Sequence, residues 1–440
     1  MLTAARSSCC TRVCLHRLPV SRVLGLVALL AVTSCGPASA DAALATDAPS
    51  ALRGLKLGLE YDSAAFANLG GGARPGGTYT SNLNVRLNID AATLAGWPDT
   101  IAYLDAVWLQ GGLPSSFIGD AQGVSNISAP NTLKLYEAWV QKSFLGNQVS
   151  LLAGLYDLNS EFYNLQSAGL FINSSFGIGP EFSQSGVEGP SVFPDTSIGM
   201  RLAFKSVEGV VIRTALLDGV PVDRPNGSRG VFENGDGALI VGEVALLDRP
   251  ELRAAPRSGR FRLGRQAMLG EYDQKTAIGA WYYTASFADL SETQPNGQPV
   301  RHRGSSGFYV LTDQLLYRDP DHSERKLTGF VQAGLGDYRV ERFGSYLGTG
   351  LTAVGLFEDR AADELGLGLA YARNGSHYVS AQNMQGLPVT NAEKAIELTY
   401  LIPVNTWLAV QPDLQYVITP NTTTAIPNAW AFQLRFEIAF

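Results

Sequence analysis

Residues 429–440 read AWAFQLRFEIAF and end the chain on an aromatic ring. Trp430, Phe432, Leu434, Phe436, Ile438 and Phe440 share one parity, and Ala431, Gln433, Arg435, Glu437 and Ala439 share the other. Successive side chains of a β-strand point to opposite faces, so this strand is apolar on one side and polar on the other. A two-faced strand closing on an aromatic residue is how bacterial outer-membrane barrels end. It predicts passage through a membrane as the function.

The same alternation recurs upstream. In Tyr79 to Asp90, Tyr79, Ser81, Leu83, Val85, Leu87 and Ile89 oppose Thr80, Asn82, Asn84, Arg86, Asn88 and Asp90. A soluble sandwich can use this pattern too, with its apolar face as core, so strand length has to decide. Spanning strands need about 9 to 11 residues, longer than the usual five or six of globular sheets. The pattern places strands at 52–62, 79–90, 99–110, 133–142, 148–156, 196–205, 209–217 and 238–248. It places others at 275–284, 305–316, 327–337, 346–358, 365–374, 392–402, 407–417 and 429–440. Sixteen is an even number, as single-chain bacterial barrels require.

If the first strand runs outward, the external connections are 63–78, 111–132, 157–195, 218–237, 285–304, 338–345, 375–391 and 418–428. Most are long, and all but one of the opposite set are short, which fits external loops and periplasmic turns. The exception, 249–274, reads as an elaborated turn, although FRLGRQAML within it could form a further strand. The expected fold is therefore an all-β, transmembrane antiparallel β-barrel of sixteen strands spanning 52–440.

The N-terminus supplies the route of export. Arg6, Arg12, Arg17 and Arg22 precede the apolar run VLGLVALLAV and then Ala38-Ser39-Ala40, the three parts of a signal peptide. Residues 1–40 are expected to be cleaved, leaving 41–51 as a short segment before the barrel. Cleavage removes those four arginines and no acid, so 33 basic residues fall to 29 against 40 acidic ones, a net charge of −11. Cys9, Cys10, Cys14 and Cys35 all lie before the cut, so the mature chain would carry no thiol. A rival reading takes Val32-Thr33-Ser34-Cys35 as a lipidation box that retains Cys35. The acidic balance, with no basic run, argues against nucleic acid.

Parity also divides the barrel wall. If Ile438 faces lipid, the lumen receives Asn82, Asn84, Arg86, Asn88 and Asp90, then Arg201 and Lys205, then Gln433, Arg435 and Glu437. It also receives Glu393, Glu397, Thr399, Gln411, Asp413 and Gln415, while Pro412 falls on the lipid side, where a missing donor predicts a bulge or distorted ladder. Sugars present hydroxyls that donate and accept, so a sugar path needs mixed amide, carboxylate and guanidinium groups. Polar residues on a wet wall need no substrate to explain them. The 157–195 loop is a sharper candidate, because loops beyond roughly 12 to 15 residues tend to be functional or disordered. Its rings, Phe162, Tyr163, Phe171, Phe176 and Phe182, favour folding inward to form a constriction, with Asp157, Asn159, Glu161 and Glu181 as polar contacts. An external lid is the alternative. Tyr61, Tyr156, Tyr317, Trp407 and Trp430, near strand ends, fit interfacial girdles.

Catalytic and metal signals are weak. His302, His322 and His377 survive processing, none with the i, i+4 partner of a zinc helix, and no G-x-S-x-G elbow or P-loop occurs. Neither a metal nor a cofactor is expected. The alternatives to a sugar channel are a general diffusion porin, an outer-membrane barrel enzyme using one of those histidines, and a secreted soluble β protein.

The segment AEKAIELTYLIPVNTWLAVQPDLQYVITP resembles the closing signature of the carbohydrate-selective porin (OprB) family, through Glu397, Tyr400, Trp407, Gln411, Pro412, Asp413, Gln415, Tyr416 and Pro420. KLYEAWVQKSF, SLLAGLYDLNSEFY and the GPEF segment resemble its middle region, and NGDGALIVGEVAL and KTAIGAWYYT its central strand pair. The likeness runs from about residue 52 onward and departs mainly at the long 249–274 connection. It implies a sixteen-stranded barrel in the outer membrane of a Gram-negative bacterium, passing small carbohydrates such as glucose down their gradient. Partners would be those solutes and outer-membrane lipid, including lipopolysaccharide; the chain is compatible with a monomer or a homotrimer.

Overall fold

The computed structural model describes residues 53–221, 235–248 and 272–440. The proposed signal peptide, the 41–51 segment, most of the 249–274 connection and the middle of the 218–237 loop lie outside the described residues.

Sixteen strands form one closed sheet in which each pairs antiparallel with its sequence neighbours and the first pairs with the last. They are β1 (Leu55–Gly70), β2 (Gly76–Asp90), β3 (Thr100–Gly111), β4 (Thr132–Phe144), β5 (Val149–Tyr156), β6 (Ser197–Lys205), β7 (Val210–Asp218) and β8 (Ala238–Leu247). The second half comprises β9 (Gln274–Thr293), β10 (Pro299–Arg318), β11 (Lys326–Leu335), β12 (Phe343–Val354), β13 (Glu364–Asn374), β14 (Ala392–Pro403), β15 (Leu408–Ile418) and β16 (Ala429–Ala439). Every strand expected from the alternation is present. Among the described residues no helix is long and apolar enough to cross a membrane; strands do the crossing, and closure removes the unpaired edges that lipid could not satisfy.

The closing seam runs from Glu60 opposite Ala439 to Gly70 opposite Trp430, with one irregularity between Asn68 and Gly70. Phe440 extends the seam by exchanging backbone hydrogen bonds with Leu59 at 2.9 and 3.1 Å, and its ring stacks on Trp407 at 6.0 Å. Parity holds around this seam: Trp430 is 45% exposed and Phe432 36%, whereas Gln433 is 0% and Arg435 5% exposed.

Two external connections are far shorter than the sequence suggested. The loops expected at 63–78 and 285–304 are turns at 71–75 and 294–298, because β1, β9 and β10 continue well past the apolar band. In β9 the reason is visible side chain by side chain. Trp281, Tyr283, Ala285, Phe287 and Asp289 point inward and are buried, while Tyr282, Thr284, Ser286 and Ala288 are exposed outward. The alternation persists but its apolar side has changed face, so a search for outward-facing apolar residues stops too early.

One smaller expectation is corrected and another is narrowed. Tyr156 is fully buried, with its hydroxyl donating to Glu161 Oε2 at 2.5 Å, so it belongs to no girdle. At Pro412 the expected bulge is absent and the expected distorted ladder is present: its pairing with Leu434 is regular, and the β14–β15 ladder lapses after Thr399–Asp413 and resumes at Ile402–Val410 in unchanged register. One missing donor interrupts the ladder without shifting it.

Candidate permeation pathway

The connection between β5 and β6 is built from short turns. Asp157 caps the turn Leu158–Ser160 by accepting from the Asn159 N–H at 2.9 Å, Asn173 does the same for Ser174–Phe176 through the Ser175 N–H at 3.1 Å, and Pro180–Ser183 forms a one-turn helix. These caps shape the backbone locally, but the contacts that hold the segment come from inward-facing residues of the barrel wall.

Glu161 receives Arg201 Nε at 2.6 Å and Nη2 at 3.0 Å, and Arg201 also reaches Ser150 Oγ and Gln141 Oε1, each at 2.6 Å. Burial alone would raise the Glu161 pKa, yet Arg201, Arg213 and the Tyr156 hydroxyl overcome it and hold the carboxyl at about 2. Across the barrel, the Ile172 and Asn173 N–H groups donate to Glu397 at 2.5 and 3.0 Å, Gln411 Nε2 donates to the Leu170 carbonyl at 2.7 Å, and Gln332 Nε2 to the Phe176 carbonyl at 2.9 Å. Glu243 accepts from the Tyr163 N–H at 3.0 Å, and Lys275 donates to the Asn164 carbonyl at 2.7 Å. The loop is thereby bonded to β6, β8, β9, β11, β14 and β15.

Its aromatic residues drive the same packing. Phe162, Tyr163, Phe171, Phe176 and Phe182 are each at most 2% exposed, and burying such a ring is worth roughly 1.5–3 kcal/mol. Phe182 stacks on Trp281 at 4.2 Å, Tyr163 lies 4.5 Å from Tyr309, and Phe171 and Phe176 meet Phe330 at 5.4 and 5.8 Å. Glu181 lies among these rings with Tyr163 Oη donating at 2.8 Å, and burial pushes its pKa up to about 7. The inner wall over β8 to β13 is thus largely dry.

A cavity of about 180 Å³ lies beside this packing, lined by β1 to β4, Gln411, Arg435, Glu437 and part of the loop. Of the residues singled out from the sequence, Asn82, Asn84, Arg86, Gln411, Arg435, Glu437, Asp157, Asn159, Phe171 and Phe176 line it. Arg86 bridges Glu60 and Asp105, the latter at 3.2 Å, and Asn84 donates to Asp105 at 3.0 Å. Arg201, Glu397, Asp413 and Gln415 face inward but are buried away from the cavity, and Glu161, Phe162 and Phe182 are equally enclosed. Asn88 is exposed near the opposite end of β2.

Several lining residues were missed in the sequence: Glu60, Asp62, Asp105, Asn126, Glu137 and Asn164. Asp105 shares its parity with the buried Tyr103, Val107 and Leu109, so its face reads as apolar and the lone acid as an exception. That exception was the available signal. His302 and His377 both contact Asp289 at 2.8 Å, but among the described residues no group of metal-ligating side chains could hold an ion.

Comparisons with known proteins agree with this architecture. The family model for the carbohydrate-selective porin, OprB family, matches residues 74–440. Porin B of Pseudomonas aeruginosa is 23% identical over 430 residues, covering 88% of each chain. The putative porin QuiX of Acinetobacter baylyi is 24% identical over 425 residues, covering 88% of this chain and 90% of its own. The high-pH structure of Pseudomonas putida OprB superimposes with a TM-score of 0.76 at 19% identity, over 88% of this chain and 94% of that one. The family match extends across fifteen of the sixteen strands in full, and the seam adds the first; the chain is a Gram-negative outer-membrane channel, not an enzyme, and belongs to the carbohydrate-selective porin (OprB) family.

Proposed function

We propose that small neutral sugars, monosaccharides such as glucose, diffuse through one narrow route between the polar wall of β1 to β4 and β16 and the β5–β6 loop, which narrows the barrel. The observation that carries this reading is the mixed polar lining of the cavity. Amides at Asn82, Asn84 and Asn126, carboxylates at Glu60 and Asp105, and the Arg86 and Arg435 guanidinium groups border it together. Donors and acceptors together suit a solute whose hydroxyls do both.

On this reading Asn84, Arg86, Asp157 and Asn159 belong to the route, and Glu397, Gln411, Gln415 and Arg201 act by holding the loop in place. Arg86 is neutralised by two carboxylates, and interleaved signs weaken selection among ions. Export through cleavage after Ala40 belongs to the same proposal; the mass of the mature chain tests it. Liposome swelling tests the transport claim. Glucose is expected to enter faster than amino acids or salts of similar size, and Arg435→Leu to reduce that preference. Equal rates for all solutes in the unaltered protein would reject sugar preference and favour general diffusion.

A further inference from the structure

β13 reads ELGLGLAYARN over Glu364–Asn374, and its two faces differ sharply in bulk. Leu367 and Leu369 point outward, 52% and 38% exposed, whereas Gly366, Gly368, Ala370 and Ala372 point inward and are buried. On the adjacent β12, Gly350 lies opposite Gly368 and Gly348 opposite Ala370. The inner wall here is a floor of hydrogen and methyl groups. Backbone conformation does not require the glycines, because Gly348, Gly350, Gly366 and Gly368 all lie outside the left-handed region. What they supply is room for a close approach.

The β5–β6 loop fills that room. A Cβ on Gly366 would lie 2.9 Å from Leu170 Cδ2 and 3.0 Å from Phe171 Cζ, and one on Gly368 would lie 2.7 Å from Phe176 Cζ and 2.8 Å from Phe171 Cε1. Leu170, Phe171 and Phe176 also border the cavity, which neither glycine reaches. The three side chains therefore stand between the glycine floor and the cavity. Sideways retreat is blocked: Phe171 and Phe176 lie 4.6 Å apart and 5.4 and 5.8 Å from Phe330. Phe330 is itself seated against Gly350, where a Cβ would meet its ring at 2.6 Å. The side left to the loop is the cavity.

We propose that Gly366 and Gly368 set the width of the sugar route, as positioning residues that let Leu170, Phe171 and Phe176 sit back from it. This inference rests on the route proposed above and assigns its size selection to two residues that do not border it. A methyl group at Gly368 would push the rings forward. Ordinary contact begins at 3.4 Å, so Phe176 must withdraw by about 0.7 Å and Phe171 by about 0.6 Å. A close-packed interior has no void to absorb that shift.

Liposome swelling with glycerol, glucose and sucrose, neutral solutes of rising size, tests the assignment on Gly368→Ala. The ratio of glucose to glycerol entry should fall about tenfold, the lower end of what one added carbon does to discrimination in a packed pocket. Single-channel conductance should fall with it. Gly366→Ala, whose nearest contacts are looser, is a milder second variant and should shift both readings the same way. Gly368→Ala/Phe176→Leu, which shortens one displaced ring, should recover part of the ratio. A glycine that served stability alone would act with the opposite sign, since a loosened loop raises conductance and admits sucrose. An unchanged ratio, a raised conductance, or no recovery in the double variant would each overturn the proposal. The route itself is judged separately: equal entry of glucose and amino acids in the unaltered protein rejects it, whatever the glycine variants do.

Discussion

Replacing Arg201 by Met should release the first turn of the β5–β6 loop. Arg201 is 2% exposed and Glu161 5%, and the two share a two-point contact at 2.6 and 3.0 Å. Removing one partner of a buried pair costs about 3–5 kcal/mol, because the other charge remains without its counter-ion. The nearest remaining cation, Arg213 Nε, is 4.0 Å from Glu161, too far to replace two hydrogen bonds. The carboxyl that Arg201 helps to hold at about 2 would either take up a proton or draw the loop toward water. The anchors at Glu397, Gln411 and Gln332 lie elsewhere on the loop, and Tyr136 and Glu243 still hold Asp157 and the Tyr163 N–H at 2.7 and 3.0 Å, so the barrel should stay closed while Leu158 to Phe162 loosen. Planar-bilayer recordings should show a larger, noisier conductance, and urea unfolding in lipid vesicles should register the loss. The decisive comparison is Glu161→Gln/Arg201→Met. With no buried charge left unpaired, it should recover all but about 1–2 kcal/mol of the single variant's loss. If single and double variants are equally destabilised, or if the single variant keeps the original conductance, the ion pair is not what holds this turn.

Three further outcomes follow from named contacts. Glu181, whose pKa burial raises from 4.5 to about 7, favours its neutral form in the folded state, so its contribution is full below about 4.5 and lost as pH rises through about 7; the loss is at most about 3 kcal/mol. Unfolding midpoints should therefore fall between pH 5 and 8, and Glu181→Gln should remove part of that slope, with Glu341, also raised to about 7, supplying another part. Gly334→Ala would place a methyl group 1.9 Å from Glu181 Oε1, and the forced shift should cost about 1–3 kcal/mol and raise conductance; unchanged recordings would count against the tight loop packing. Phe440→Ala removes the stack on Trp407 at 6.0 Å but leaves the backbone seam, so urea unfolding should show a loss of about 0.5–1.5 kcal/mol, and a larger loss would mean the ring does more than stack.

The strands were legible because a lipid-facing wall has a strict two-residue rule. Trp430, Phe432 and Phe440 had to share a face whatever the rest of the barrel did, and the same rule located β2 and β14. Its failures are instructive. Ala285, Phe287 and Asp289 continue β9 past its expected end at residue 284, with the buried side turned inward, a pattern that becomes intelligible only once a packed loop is known to lie inside. Tyr156 looked like a girdle residue because position near a strand end was weighed and parity was not.

The limits at the site have a different origin. Parity says that Glu397, Gln411, Asp413 and Arg435 point inward, and they do, but inward is not one environment. Glu397 meets two backbone N–H groups from a segment 224 and 225 residues away in sequence; Arg435, on the neighbouring wall, meets the cavity. Alternation along either strand is identical in the two cases. What separates a residue that holds the loop from one available to a solute is where a thirty-nine-residue connection comes to rest, and that depends on Phe171, Phe176 and Phe182 finding Phe330 and Trp281 across the barrel. On the proposed route, selectivity would depend on a long-range packing contact as much as on the polar residues of the wall. Substitutions in the dry half, at Phe330 or Trp281, should alter which sugars pass even though neither residue lines the cavity.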